Sequence, residues 1–355
     1  MNATAARIAR LIQAQGPISV AQFIAIANSA YYASRDPFGA HGDFVTAPEI
    51  SQMFGELLGL WLVQCWQDQG RPSPARLVEL GPGRGTLMAD ALRAAKLAPD
   101  FLAAIEVVLV ENSPALRDIQ QQTLKNNAVK MEWRERFDDA FQDRPLFLLA
   151  NEFFDALPVR QFVRTQHGWN ERMVIANENG TLSFAVAPVS SNISAPSSRG
   201  AATLGAIYEV SLASTAIVAQ IAESVARNGG VALIVDYGYG DEAGYGETLQ
   251  AVGGHGYKSI LESPGDIDLS AHVDFASLGD AARAEGAAVF GPIGQGGLLE
   301  KLGIAARSRK LAAASPAQTD AVAAAMERLT GAKQMGTLFK ALAVLPRHTQ
   351  TPPGF

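Results

Sequence analysis

The chain has 355 residues, 48 % hydrophobic and 18 % charged, and its 29 basic and 35 acidic side chains give a net charge of −6. This length can bury a sizeable core and leaves room for additions to one α/β domain. An acidic balance without a basic block argues against nucleic acid as a partner and suits a cationic one. Cys65 is the single cysteine, so no intramolecular disulfide can form and a reducing compartment is expected. The apolar stretch Leu57 to Trp66 is broken by Gln64 and falls short of the roughly 20 residues a bilayer requires. Arg7 and Arg10 precede Gln13, Gln15, Gly16 and Pro17 rather than an apolar run, so no signal peptide is expected. These features together predict a cytoplasmic protein without membrane insertion.

In chain order, residues 4–14 and 19–30 read as amphipathic helices around the Gly16-Pro17 break. An aromatic and glycine-rich stretch, Tyr31 to Thr46, leads into a third helix from about Glu49 to Gln67. Pro72-Ser73-Pro74 ends a helical N-terminal section, taken as residues 1–75. Strands are then expected at 76–80, 105–111, 129–133, 146–151 and 231–236, with helices at 86–96, 114–125 and 203–227. That alternation predicts a doubly wound parallel sheet over residues 76–355. Two segments interrupt it, one at 159–202 and one at 238–273. In the first, alternating runs over 159–189 joined by His167-Gly168 and Asn179-Gly180 predict an antiparallel meander, followed by a Ser/Ala/Pro-rich loop. The second is Gly-rich and suits a lid or substrate loop. Helix 275–285, strand 287–291, helix 316–330 and strand 338–345 close the chain.

The most informative run is Val78-Glu79-Leu80-Gly81-Pro82-Gly83-Arg84-Gly85-Thr86. A strand ends at an acidic residue, turns through three glycines and enters a helix. Such a turn lets the backbone approach a ligand at the helix N-terminus, and its plainer reading is a tight strand-to-helix connection. A dinucleotide fingerprint would need a glycine at position 86, where this chain has Thr. Glu111 closes the second strand, where a bidentate carboxylate could hold two ribose hydroxyls, or simply be solvated. Asn151-Glu152-Phe153-Phe154-Asp155-Ala156-Leu157-Pro158 follows the strand at 146–151. Two carboxylates, an amide and two aromatics at a strand's carboxyl end could grip a cationic, planar acceptor. Alternatively, Phe153, Phe154 and Leu157 are core and Asp155 a cap. His255 and His272 lack metal-ligand spacing and read as structural, with no metal expected.

The E-x-G-x-G-x-G pattern is similar to the first motif of class I S-adenosylmethionine (SAM) methyltransferases. Further blocks resemble one family, the MidA-type SAM-dependent methyltransferases. They include Gly42 to Ser51, Phe54-Gly55-Glu56, Asn151 to Pro158 and Asp236-Tyr237-Gly238. Pro264-Gly265, Asp268-Leu269, His272 to Phe275, Met335-Gly336 and Phe339-Lys340 complete the set.

The resemblance implies an α/β, class I, Rossmann-like sheet of seven strands, the last antiparallel. It also implies SAM as cofactor, with Glu79, Gly81, Gly83, Gly85, Glu111 and Asn151 as cofactor-binding candidates. Glu152 and Asp155 become the first candidates for handling the acceptor, and Glu49 an outside one. The implied activity is symmetric dimethylation of an arginine in a core subunit of NADH dehydrogenase, which would assist assembly of that complex. A small-molecule methyltransferase and a non-catalytic assembly chaperone on the same fold are the alternatives.

Overall fold

The computed structural model describes residues 2–34, 46–138, 141–195, 199–240, 244–253 and 256–355. His255 and the Gly42-Asp43-Phe44-Val45 part of the first family block lie outside them. The chain divides into two compact units, one of residues 1–37, 155–215 and 239–273, the other of 38–154, 216–238 and 274–355.

The larger unit is built on seven strands: β1 (Ala75–Leu80), β2 (Ile105–Val110), β3 (Met131–Arg134), β4 (Leu146–Asn151), β5 (Gly230–Tyr239), β6 (Ala288–Gly294) and β7 (Phe339–Leu345). They lie in the order β3-β2-β1-β4-β5-β7-β6. The first five pair in parallel, and β7 runs antiparallel to both β5 and β6. This is the doubly wound sheet with an antiparallel last strand that the alternation and the resemblance predict. β1 and β4 are buried at every position, as central parallel strands covered on both faces must be.

Helix Gln52–Asp68 packs against helix Thr86–Ala95 so closely that no side chain fits at Gly55 or Gly59. A Cβ on Gly55 would stand 2.6 Å from Asp90 Cβ, and one on Gly59 would stand 2.6 Å from the Ala91 backbone. The expected third helix is divided at Ser51, whose extended backbone (φ −163°, ψ 139°) separates Ala47–Ile50 from Gln52–Asp68. The Ser51 hydroxyl caps the second piece by accepting from the Met53 amide at 3.2 Å. Cys65 is buried in that helix among apolar neighbours, as expected of a core thiol.

The smaller unit gathers helices Ala3–Gln15 and Val20–Ser34 with the expected meander, strands Arg160–Thr165, Gly168–Ala176 and Leu182–Ser190. Part of the expected helix 203–227 is instead strand Ile207–Val210, paired with Arg160–Thr165, and the helix begins at Leu212. An edge of the meander was open for pairing there, and tertiary pairing overrides a short local helix preference. Buried Glu209, on that strand, accepts from the Gln161 amide at 2.8 Å and from the Thr248 and Leu249 backbone amides at 3.2 and 3.3 Å. The Gly-rich segment is thereby tied to the meander.

The helix contact yields a test. Gly59→Val should destabilise the protein by about 1–3 kcal/mol, the cost of overpacking a filled contact. Thermal melts should show Tm lowered by several degrees, whereas an unchanged Tm would mean that the helices separate without penalty.

Candidate active site

The glycine turn joins β1 to helix Thr86–Ala95 within the larger unit. Gly81, Gly83 and Gly85 all take positive φ, at 61°, 53° and 81°. At Gly81 the requirement is also steric, because a Cβ there would stand 2.8 Å from Phe153 Cδ2. A small cleft, with a free volume of about 40 Å³, opens beside this turn at the carboxyl ends of β1 and β4. It is lined by Glu79, Gly81, Gly83, Asn151 and Glu152, with Thr46, Pro48 and Glu49 from the short helix and its cap.

The electrostatics of the cleft are those of desolvated carboxyl groups. Glu79 is 3 % exposed, and burial pushes its carboxyl up to about 8, opposed only by a hydrogen bond from the Met88 backbone amide. That amide belongs to the first turn of helix Thr86–Ala95, where no intrahelical acceptor exists. Glu79 Oε2 is buried with no hydrogen-bond partner among the described residues, and so is Asn151 Oδ1. Two orphaned acceptors on one cleft fit a ligand carrying N–H donors, and an ammonium group in particular. Burial likewise raises Glu152 to about 7, against the lowering effects of the Ala47 amide, the Asn151 side chain and the Arg328 charge. Its Oε1 accepts from the Ala47 amide at 2.9 Å and from Asn151 Nδ2 at 3.1 Å. Glu152 also has a left-handed backbone, φ 50°, a conformation that costs a residue with a Cβ and is concentrated at functional sites.

The remaining candidates are placed as follows. Glu49 Oε1 accepts from the Thr86 hydroxyl at 2.5 Å, and its other oxygen lies 4.0 Å from Arg84. Glu111 is buried just past β2, and its Oε1 accepts from the Ser113 amide at 2.8 Å. Burial raises its pKa, while hydrogen bonds from Ser113 and Gln120 oppose the rise. Glu111 and Gly85 do not line the cleft with the others. Asp155 belongs to the smaller unit, where its carbonyl accepts from the Ala271 amide at 3.0 Å. His272 is part-buried there, its pKa lowered by burial, and its backbone amide donates to Thr248 Oγ1 at 2.9 Å.

Sequence reasoning missed Gln120. Fully buried, it donates through Nε2 to the Gly83 carbonyl at 2.7 Å and to Glu111 Oε2 at 3.3 Å, and its Oε1 accepts from Trp133 Nε1 at 2.9 Å. One amide thus connects the glycine turn to the carboxylate after β2. A signal was present: Leu116, Gln120 and Leu124 share the inward face of helix Pro114–Leu124, and a polar residue on an apolar stripe needs partners.

The chain and its fold have counterparts among known proteins. A family model described as "Putative S-adenosyl-L-methionine-dependent methyltransferase" matches residues 57–293. A Drosophila melanogaster protein named protein arginine methyltransferase NDUFAF7 homolog, mitochondrial, is 38 % identical over 94 % of this chain and 83 % of its own. The human protein arginine methyltransferase NDUFAF7, mitochondrial, is 34 % identical over 94 % of this chain and 81 % of its own. A solved Burkholderia thailandensis structure, titled a "likely methyl transferase" and bound to S-adenosyl-homocysteine, superposes with a TM-score of 0.86 at 27 % identity. That match covers 99 % of this chain and 93 % of the other.

These relatives correct one expectation. The Drosophila and human relatives are named mitochondrial proteins, which overturns the cytoplasmic assignment. A lone cysteine suits a reducing environment, and that property does not distinguish one such compartment from another. Among the described residues no helix is long and apolar enough to cross a membrane.

If Glu79 receives the cofactor's ammonium, ligand binding must shift its ionisation. Free, the carboxyl titrates near 8; beside a cation the charged form is favoured. Binding of S-adenosylhomocysteine near pH 6.5 should therefore release about one proton, measurable by calorimetry in two buffers of different ionisation enthalpy. Glu79→Gln should abolish that release and weaken binding. The same substitution should raise the Tm of the free protein at pH 8, because a folded-state pKa above the unfolded value costs stability as pH rises between the two. The gain should vanish as pH falls toward the ordinary carboxylate range. Equal proton release by wild type and variant would remove Glu79 from this role.

Proposed function

This chain belongs to the S-adenosyl-L-methionine-dependent methyltransferase family, and on that premise we propose that its acceptor is an arginine side chain of a protein. The observation that carries the reading is Glu152, a part-buried carboxyl raised to about 7 on the wall of the cleft that also contains Glu79 and the glycine turn. Arginine is protonated at any working pH, so its attacking nitrogen must shed a proton as the new bond forms. A carboxyl titrating near neutrality is suited to accept it. When bound, SAM supplies an electrophilic methyl on a sulfonium that departs as a neutral thioether. Glu79 and Asn151 would hold its amino-acid end through their orphaned oxygens, the glycine turn would admit its backbone approach, and Glu111 would take the ribose hydroxyls.

In this reading Glu152 accepts the proton from the guanidinium, and Asp155 is the second residue of the sequence proposed to bind the acceptor. Glu49 serves the cofactor side, since its carboxylate already engages Thr86. The names of the relatives support the arginine acceptor. The family resemblance in turn supports symmetric dimethylation of the quinone-proximal core subunit of NADH dehydrogenase, and so a role in assembling that enzyme. The net charge of −6 suits a cationic acceptor.

Two experiments test this. Glu152→Gln should lower turnover about 10²–10⁴-fold, the range for a general base, with SAM affinity close to wild type. Wild-type turnover should rise with pH through about 7, and Asp155→Asn should raise the acceptor KM. Retention of normal turnover by both variants would place acceptor activation on other residues. In cells lacking the gene, intact-mass spectrometry should find the core subunit short of its methyl groups and less of the enzyme assembled. A metabolite that loses its methyl group while the subunit's mass is unchanged would favour small-molecule transfer. Normal methylation with failed assembly would favour a chaperone.

A further inference from the structure

We propose that Asp236 is a positioning residue for methyl transfer, folding the chain after β4 so that Glu152 faces the acceptor. The proposal rests on the catalytic reading of Glu152 given above.

Asp236 lies on β5, next to β4, and is completely buried. The parallel ladder between these strands runs to the pair Val235 and Asn151 and ends with the Glu152 amide donating to the Val235 carbonyl at 2.9 Å. There Glu152 leaves the extended conformation for φ 50°. Its left-handed backbone turns the next two amides toward one point, and Asp236 Oδ2 occupies that point. It accepts from Phe153 N at 3.1 Å and from Phe154 N at 2.9 Å. Consecutive amides around a left-handed residue make a concave site for an anion, and here the anion is supplied by the protein. The second oxygen, Oδ1, accepts from the Tyr237 amide at 2.9 Å, which fixes the carboxylate plane.

Two consequences follow for the cleft. The strained backbone at Glu152 is sustained by a charge that the next strand supplies, so the carboxyl's place on the wall depends on Asp236. The same pin seats Phe153, whose ring lies where a Cβ on Gly81 would stand. An asparagine would fill the same volume but carry one acceptor oxygen rather than two, leaving its NH₂ against a backbone donor. Asp236 touches neither substrate nor cofactor in this account and acts through the segment it holds.

The test combines exchange and kinetics. In Asp236→Asn, the amides of Phe153 and Phe154 should exchange hydrogen about 10–100-fold faster, as expected for losing bonds to a charged acceptor. Turnover on the unmethylated core subunit should fall by a similar factor, with S-adenosylhomocysteine affinity by calorimetry showing that the fold persists. The decisive comparison is the Glu152→Gln background, where Asp236→Asn should cost little more, because a residue acting through Glu152 has nothing left to position. Asp236→Ser, which offers an acceptor oxygen without an opposing NH₂, should show losses in the same order and serves if the Asn variant does not fold. Unchanged amide exchange, or a turnover loss fully additive with an inactive Glu152→Gln, would overturn the proposal. Normal turnover of Glu152→Gln alone would instead overturn the catalytic reading on which it rests.

Discussion

The constraint on which this site depends is the desolvation of Glu79. An ionised carboxylate held away from water is expensive, and this one has a single main-chain donor, from the first turn of the helix that follows. The free protein meets that cost by holding the proton, which is why the carboxyl titrates near 8. A cation delivered to the cleft removes the reason for holding it. Under the cofactor role proposed for Glu79, recognition of a cationic ligand and loss of a proton are one event.

The same logic extends along the cleft. Glu152 is raised for the same cause, opposed by two donors and the Arg328 charge. Neither group is placed by its own side chain alone. The glycine turn is held from behind by Gln120, and the turn after β4 by the strand beside it. A buried polar atom must be paired wherever it falls. A protein can therefore fix the backbone of a site by choosing where to bury an acceptor.

The larger unit obtains its compactness from an approach that only glycine permits, at Gly55 and Gly59 against the helix that leaves the glycine turn. That contact sets the position of the helix whose first-turn amide reaches Glu79. The smaller unit has a separate core, in which the side chains of Ile8, Phe23, Ile24, Val174 and Leu269 cluster. Buried Glu209 ties a Gly-rich segment to its meander through main-chain donors, a bonding pattern that requires order rather than freedom.

Much of this was legible in the amino-acid sequence. Five parallel strands, the meander and the glycine turn are written in local periodicity and turn chemistry, which depend on neighbours within a few residues; the antiparallel close came from the family resemblance. Glu79, Gly81, Gly83, Asn151 and Glu152 could be singled out because strand ends are visible in a sequence and ligands meet strand ends in sheets of this kind; Glu49 entered only through the family resemblance. The sequence could not show that residues 207–210 pair as a strand, since an unpaired meander edge exists only once the sheet has formed. Nor could it show Gln120 bridging Gly83 and Glu111, or Asp236 receiving two amides from the turn that follows β4. Those roles belong to pairs distant along the chain, and burial, which decides both the bond and the ionisation, is a property of the packed molecule. Local pattern determined which groups stand at the carboxyl ends of the strands; tertiary packing alone decided which of them are desolvated, which are paired, and which retain an unpaired oxygen for a ligand.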